Sequence, residues 1–173
     1  SPDVNLNVGS GCHGAMTGAM LAGVEALILG RKPDIVLVYG DTNSTLAGAL
    51  AASKLQVPVV HVEAGLRSYM MAMPEEQNRR LTDHLSSWLF CPTITAVENL
   101  AKEGIVNTVV EVHGPDTKSV SISGDIMLDA SSYYRKSAKA KAGYVLDGLP
   151  DEFYLLTIHR AENTNDITRI AAI

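Results

Sequence analysis

Short apolar runs of strand length alternate along this chain with longer stretches of helical periodicity. Ile35–Tyr39 and Val57–Val62 are two such runs, separated by the Ala-rich segment 45–54. Apolar runs without alternation belong to strands buried on both faces of a parallel sheet, and a helix between two of them makes a β-α-β unit. Leu89–Cys91 and Val120–Ser123 predict further strands, and Phe153–Ile158 predicts a fresh buried strand later on. Residues 15–30 place Met16, Met20, Val24, Leu27 and Ile28 on one helical face, with Gly30 at the C-cap, and Pro33 ends the pattern. Pro74-Glu75-Glu76 opens a helix running through Leu81, Leu85 and Trp88, with Glu75–Arg79 and Glu76–Arg80 as i,i+4 pairs. A capped helix over 95–103 stops at Gly104. Val4, Leu6 and Val8 alternate with asparagines, as a short edge strand or an extended arm would.

The fold expected is therefore α/β with a Rossmann-like parallel sheet, in which chemistry gathers outside the carboxyl ends of the strands. Asp41 and Glu63 stand at two such ends, and Glu75 follows on the next turn into a helix. Each has a structural alternative. Asp41 lies in the polar loop Gly40–Thr45, where it reads equally as a turn or capping residue. Glu75 and Glu76 suit the positive end of a helix dipole. His61, on the same strand face as Glu63, reads as a hydrogen-bonded core histidine. After Glu63, the Ala64-Gly65 step allows close backbone approach to a ligand, and Arg67 supplies a cation. Ser68–Met73 is an apolar loop that suits a mobile segment over a site. The strand at 153–158 leads into His159-Arg160-Ala161-Glu162, again polar groups at a strand's end.

Composition narrows the classes. The 173 residues fit one domain or one domain and part of another, and 46% hydrophobic with 19% charged residues describes a globular chain. A net charge of −5 without a basic run argues against nucleic acid or a membrane surface as partner. No run is expected to span a bilayer. Cys12 and Cys91 form no CxxC, so neither a metal site nor a disulfide is signalled, and a reducing cytoplasm fits. The chain opens without methionine and stops inside a helical pattern, which reads as an internal fragment. A break in composition over 125–150, basic at Arg135–Lys141 and closed by Gly148 and Pro150, suits a linker.

Gly9-Ser10-Gly11-Cys12-His13-Gly14 formally matches the GxGxxG dinucleotide fingerprint. Against it, Asn5 and Asn7 interrupt the strand that should precede it, and Asp41 lies too far on to be the ribose-binding acid. An NAD(P)-dependent oxidoreductase fragment is the alternative that this motif supports, and a flexible glycine loop is the plain one.

YGDTNST from Tyr39, HVEAGLRS from His61, MPEEQNRRLTDH from Met73, PTITAVENLAKEGI from Pro92, SGDIMLDA from Ser123 and TIHRAENT from Thr157 occur in register. With these motifs the chain resembles the non-hydrolysing UDP-N-acetylglucosamine 2-epimerases over nearly all its length. The resemblance implies the two-domain GT-B fold, with 1–124 the later part of the N-terminal Rossmann-like domain, 125–150 a linker or crossover helix, and 151–173 the start of the C-terminal domain. It places catalytic groups at Asp41, Glu63, Glu75 and His159, and substrate contacts at Arg67, Arg79 and Arg160.

The reaction so implied is epimerisation at C2 of UDP-N-acetylglucosamine or a modified UDP-2-acetamido sugar. UDP is eliminated and then re-added across a glycal, without a cofactor or metal. Moving a proton on opposite faces of C2 calls for more than one acid/base group. A homodimer is implied for the full-length protein, and the chain alone is expected to be inactive, with Ile35–Tyr39 left as an apolar edge. A non-catalytic sugar-nucleotide-binding module is a further alternative. Two departures stand out: Ala15-Met16-Thr17, where relatives carry Glu-Gln, and Met70-Met71-Ala72, where relatives carry basic residues.

Overall fold

The computed structural model describes residues 2–109, 114–158, 161–164 and 166–172. Strands β1 (Val36–Tyr39), β2 (Val59–Val62), β3 (Trp88–Cys91) and β4 (Ser119–Ile122) form one parallel sheet in the order β1-β2-β3-β4. Helix α1 (His13–Arg31) precedes it, and α2 (Asn43–Lys54), α3 (Pro74–Leu85) and α4 (Ile94–Lys102) make the crossovers. Because the strands lie in chain order, every right-handed crossover sets its helix on the same face. That face carries Val36, Val38, Val59, Leu89, Cys91 and Val120, which meet the four helices in two apolar clusters, and between them His61, bound to Asp83 of α3.

The opposite face is covered differently from the expectation of burial on both sides. Leu37 and Tyr39 of β1 are 48% and 58% exposed, whereas Val60 in the middle of β2 is buried by its neighbours. β1 is thus an apolar edge, as expected for this chain taken alone, although the run Ile35–Tyr39 by itself reads as a strand buried on both faces. Helix α2 is wedged between α1, α3 and the sheet, and its Ala47, Gly48, Ala49, Ala51 and Ala52 are all buried. Small side chains let it approach both layers, which explains a helix with little apolar bulk.

Several boundaries move, each for a local reason. Helix α1 runs one residue past Gly30 to Arg31, and the C-cap is Lys32, left-handed and with its N–H on the Ile28 carbonyl. Helix α3 stops at Leu85 rather than running through Trp88, which belongs to β3. There Lys118 Nζ donates to the carbonyls of His84 and Ser86 at 2.7 and 2.6 Å, capping the helix end with a cation. Residues before α1 form an extended arm without a strand, so the fingerprint glycines lack the β-strand that a dinucleotide site needs. By length and hydropathy α1 is sufficient to cross a membrane, contrary to the expectation that no run is. It packs Leu21, Val24 and Ile28 into the cluster with α2 and β1.

The described chain divides into compact units 1–129 and 130–173. The boundary falls inside helix α5 (Ile126–Leu146), where the sequence places a linker. The second unit also holds α6 (Ala161–Thr164) and α7 (Ile167–Ala172). Phe153–Ile158 is not a buried strand: it pairs with none, and Tyr154 and Leu155 are 103% and 91% exposed. A strand exists through its ladder, and no described residue of this unit offers one.

A buried ionic network ties α3 and α4 to the loop after β2. Arg67 Nη1 donates to Asp83 Oδ2 at 2.7 Å, and its Nε and Nη2 grip Glu103 at 2.8 Å each. Burial alone would lower the Arg67 pKa, but the hydrogen bond to Glu103 and the Asp83 charge raise it above the ordinary arginine range. In return, hydrogen bonds from Arg67 hold the Glu103 carboxyl below the usual glutamate range.

Three outcomes test this scaffold. Gly65 has φ +79°, and a Cβ there would sit 2.3 Å from the Ala96 carbonyl oxygen. Gly65→Ala is therefore expected to cost about 3 kcal/mol in urea unfolding. Gly18→Ala, with open space around an exposed position of α1, should stabilise by about 0.5–1 kcal/mol. The lowered Glu103 pKa contributes stability that is present above the unfolded value and lost as pH falls through the folded one. The urea midpoint should thus fall as the pH is lowered below the ordinary glutamate value, and Glu103→Gln should flatten that acid limb.

Candidate active site

The carboxyl ends of β1 and β2 lie side by side, with Tyr39 in register with Val62. The next residues, Gly40 and Glu63, both take left-handed backbone conformations, at φ +64° and +72°. A Cβ on Gly40 would stand 3.3 Å from Glu63 Oε2, so glycine lets that carboxylate close against the turn. Asp41 follows directly. It does not cap α2: Thr42 is the N-cap, in a reciprocal capping box with Thr45, whose hydroxyl also donates to the Tyr39 carbonyl. That frees the Asp41 side chain, one-third exposed, to pair with Arg79.

Arg79 is shared. Its Nη2 meets Asp41 Oδ2, and its Nη1 donates to Glu76 Oε2 at 2.7 Å. Glu76 is fully buried and also accepts from the backbone and hydroxyl of Ser68 at 2.8 and 2.9 Å. Burial pushes its pKa up, but the Ser68 hydrogen bonds and the Arg79 charge outweigh that and bring it below the usual range. Its Oε1 is buried without a partner among the described residues. The i,i+4 pairs expected on α3 are thus replaced. Glu76 takes Arg79 at i,i+3, and Arg80 turns to Glu103.

Glu75, one residue earlier, is exposed on the first turn of α3, and its side chain makes no hydrogen bond or ion pair with a described residue. Arg67, expected at the substrate, has a side chain without accessible surface, gripped by Asp83, Glu103 and the Leu66 carbonyl. It belongs to the scaffold. The close approach expected at Ala64-Gly65 is likewise made by the Ala96 backbone of α4. His159 and Arg160 lie outside the described residues.

The loop 68–73 is pinned rather than loose, through Ser68 to Glu76, the Tyr69 hydroxyl to Asn99 and the Met71 carbonyl to Gln77. Beside it opens a cleft of about 430 Å³, lined by His13, Gly14 and Thr17 of α1, Asn43 of α2, and Pro74, Gln77 and Asn78 of α3. Three helix N-termini therefore face one space. Cys12, the N-cap of α1, provides no side-chain cap, which leaves first-turn N–H groups there for an anion, whereas α3 opens on Pro74, which has no N–H, and its Glu76 N–H is bound to the Met73 carbonyl at 3.1 Å.

An amide chain lines the same wall, and sequence reasoning passed it over. Asn78 Nδ2 donates to the Asp41 carbonyl at 3.0 Å and to Asn43 Oδ1 at 3.1 Å, and Asn43 Nδ2 lies 3.0 Å from His13 Nδ1. A signal was present, since Asn78 falls three residues after Glu75 on the same helical face. His61 is the buried histidine expected, with Nδ1 2.7 Å from Asp83 Oδ1 and Nε2 2.8 Å from the Gly40 carbonyl.

The profile of the UDP-N-acetylglucosamine 2-epimerase family matches residues 1–173. The chain is 50% identical over 172 residues to UDP-2,3-diacetamido-2,3-dideoxy-D-glucuronate 2-epimerase of Pseudomonas aeruginosa, covering 99% of this chain and 46% of that protein. It is 45% identical to UDP-N-acetylglucosamine 2-epimerase of Methanocaldococcus jannaschii, covering 100% of this chain and 46% of that one. The crystal structure of the M. jannaschii enzyme in complex with UDP-GlcNAc and UDP superposes with a TM-score of 0.85 at 46% identity, over 99% of this chain and 45% of its own. The chain thus spans a little under half the length of these relatives, and its α/β architecture with a parallel sheet is theirs. Among the described residues no strand precedes the glycine loop, and the family profile is matched from end to end; the chain belongs to the UDP-N-acetylglucosamine 2-epimerase family.

Proposed function

We propose that the protein containing this chain is a sugar-nucleotide 2-epimerase acting on UDP-N-acetylglucosamine or a UDP-diacetamido sugar. The observation that carries this reading is the pair of carboxylates at adjacent strand ends, Asp41 just after left-handed Gly40 and Glu63 itself left-handed, beside a cleft faced by the uncapped N-terminus of α1. Carboxylates supply acid/base groups, and unpaired N–H groups at positive dipole ends suit a diphosphate.

In the reaction proposed, a base takes the proton from C2 while the C1–O bond breaks and UDP leaves with the electron pair. Reprotonation of C2 on the other face and return of UDP to C1 complete the inversion. Asp41, Glu63 and Glu75 are assigned the proton transfers, with Arg79 orienting Asp41. The resemblance gives His159 and Arg160 the leaving phosphate. A cytoplasmic, homodimeric full-length protein belongs to the same proposal.

The decisive measurement is turnover of UDP-N-acetylglucosamine, and separately of its 2,3-diacetamido uronic counterpart, by the full-length protein in deuterated water. Deuterium should appear at C2 of both epimers. Turnover without label would exclude elimination and re-addition, and binding without turnover would favour a non-catalytic module.

Site substitutions refine the assignment. Asp41→Asn and Glu63→Gln should each lower kcat by about 10²-fold or more, because size and hydrogen bonding persist while acid/base capacity is lost. Glu75→Gln is the most diagnostic, since the exposed, unpartnered side chain should change stability by less than about 1 kcal/mol. A large fall in kcat with an unchanged melt assigns Glu75 to chemistry; a normal kcat leaves it as part of a helix start.

A further inference from the structure

We propose that His61 is a positioning residue for Asp41, acting as a clamp on the Gly40–Asp41 peptide; this rests on the role proposed above for Asp41. The ring is fully buried and both nitrogens are committed. Nε2 faces the Gly40 carbonyl, which only accepts, so Nε2 carries a hydrogen and donates it. Nδ1 faces a carboxylate oxygen of Asp83, so one proton lies between those two atoms. Asp83 is itself immobilised, because its other oxygen accepts from Arg67 Nη1 at 2.7 Å and from the Gly65 N–H at 3.1 Å. The ring orientation is thus set from α3 and delivered to the turn after β1.

The consequence follows from peptide planarity. The Gly40 carbonyl belongs to the same rigid plane as the Asp41 nitrogen and Cα. Gly40 also donates its N–H to the Val62 carbonyl at 3.1 Å. Both polar groups of Gly40 are therefore held by β2, one by backbone and one by His61. Glycine in the left-handed region is otherwise the freest residue of the chain. Without the Nε2 bond, the peptide plane from which Asp41 hangs can rotate, although the N–H contact persists.

Two near-isosteric substitutions separate the ring's contacts. Glutamine can place an amide nitrogen near the Nε2 position and keep the donor to Gly40. Asparagine can place one near Nδ1 and keep only the contact to Asp83. His61→Asn should lower kcat about 10²-fold with KM little changed, while His61→Gln should recover kcat to within about fivefold of wild type. The backbone amide resonance of Asp41 should move in His61→Asn and stay in place in His61→Gln, a readout that needs no turnover.

In the wild-type protein, a scalar coupling between His61 Nε2 and the Gly40 carbonyl carbon, with slow exchange of the intervening proton, should report the clamp directly even where His61→Asn does not fold. Equal losses of kcat in the two variants, an unmoved Asp41 resonance in His61→Asn, or fast exchange at Nε2 would each overturn the proposal. Absence of epimerase turnover in the wild type would instead remove the proposed reaction. The resonance and exchange measurements would then decide the clamp alone.

Discussion

One buried carboxylate holds this half of the fold in register. Asp83 meets His61 of β2 through one oxygen and Arg67 and the Gly65 N–H through the other, all without solvent access to its side chain. A charge in that position is tolerable only when it is paired and hydrogen-bonded. It also sits in the last turn of α3, where the helix dipole disfavours an acid. Four segments are consequently fixed by one residue: β2, the loop after it, α3 and, through Arg67 and Glu103, the end of α4. The turn bearing Asp41 is tied on through His61. Removing one partner would leave a buried charge stranded, so the network behaves as a unit.

Sequential strand order has a cost that the apolar runs reveal. With all crossovers of one hand, the helices stack on a single face, yet β1 and β2 are written with apolar residues on both. Covering only one face leaves Leu37 and Tyr39 in solvent on the edge strand, a surface that pairs readily with other chains. The relatives it resembles are more than twice as long as this chain. The polar ends of the strands, by contrast, are complete enough to define a cleft between α1, α2 and α3.

Much of this was legible because it depends on local pattern. Apolar runs, the Ala-rich crossover, Pro74 at a helix start and the carboxylates at strand ends are properties of a few consecutive residues. What escaped depends on residues far apart. Arg67 reads as a free cation beside Glu63 until Glu103, 36 positions later, closes on it. Gly65 reads as room for a ligand until α4 fills that room. Glu76 and Arg79 look like members of two i,i+4 pairs, but Arg79 is drawn instead to Asp41, 38 positions earlier. The strand expected at 153–158 failed for a related reason: apolar character specifies a wish for burial, whereas a strand requires a partner.

The arrangement of strain argues for the same edge of the sheet. Glu63 holds φ +72°, a conformation in which a Cβ crowds the following carbonyl at about 1–2 kcal/mol. Such a residue persists only where its surroundings over-determine it. Here they do: the Ala64 N–H is bound to the Phe90 carbonyl at 3.1 Å and the Gly65 N–H to Asp83. The left-handed turn swings the Glu63 side chain back toward Gly40, beside the residue that carries Asp41, rather than onward along the strand. An ordinary extended backbone would aim that carboxylate elsewhere. The fold therefore maintains a locally unfavourable backbone in order to bring two acids to one rim, and the rigid Asp83 network supplies the restraint that keeps it there.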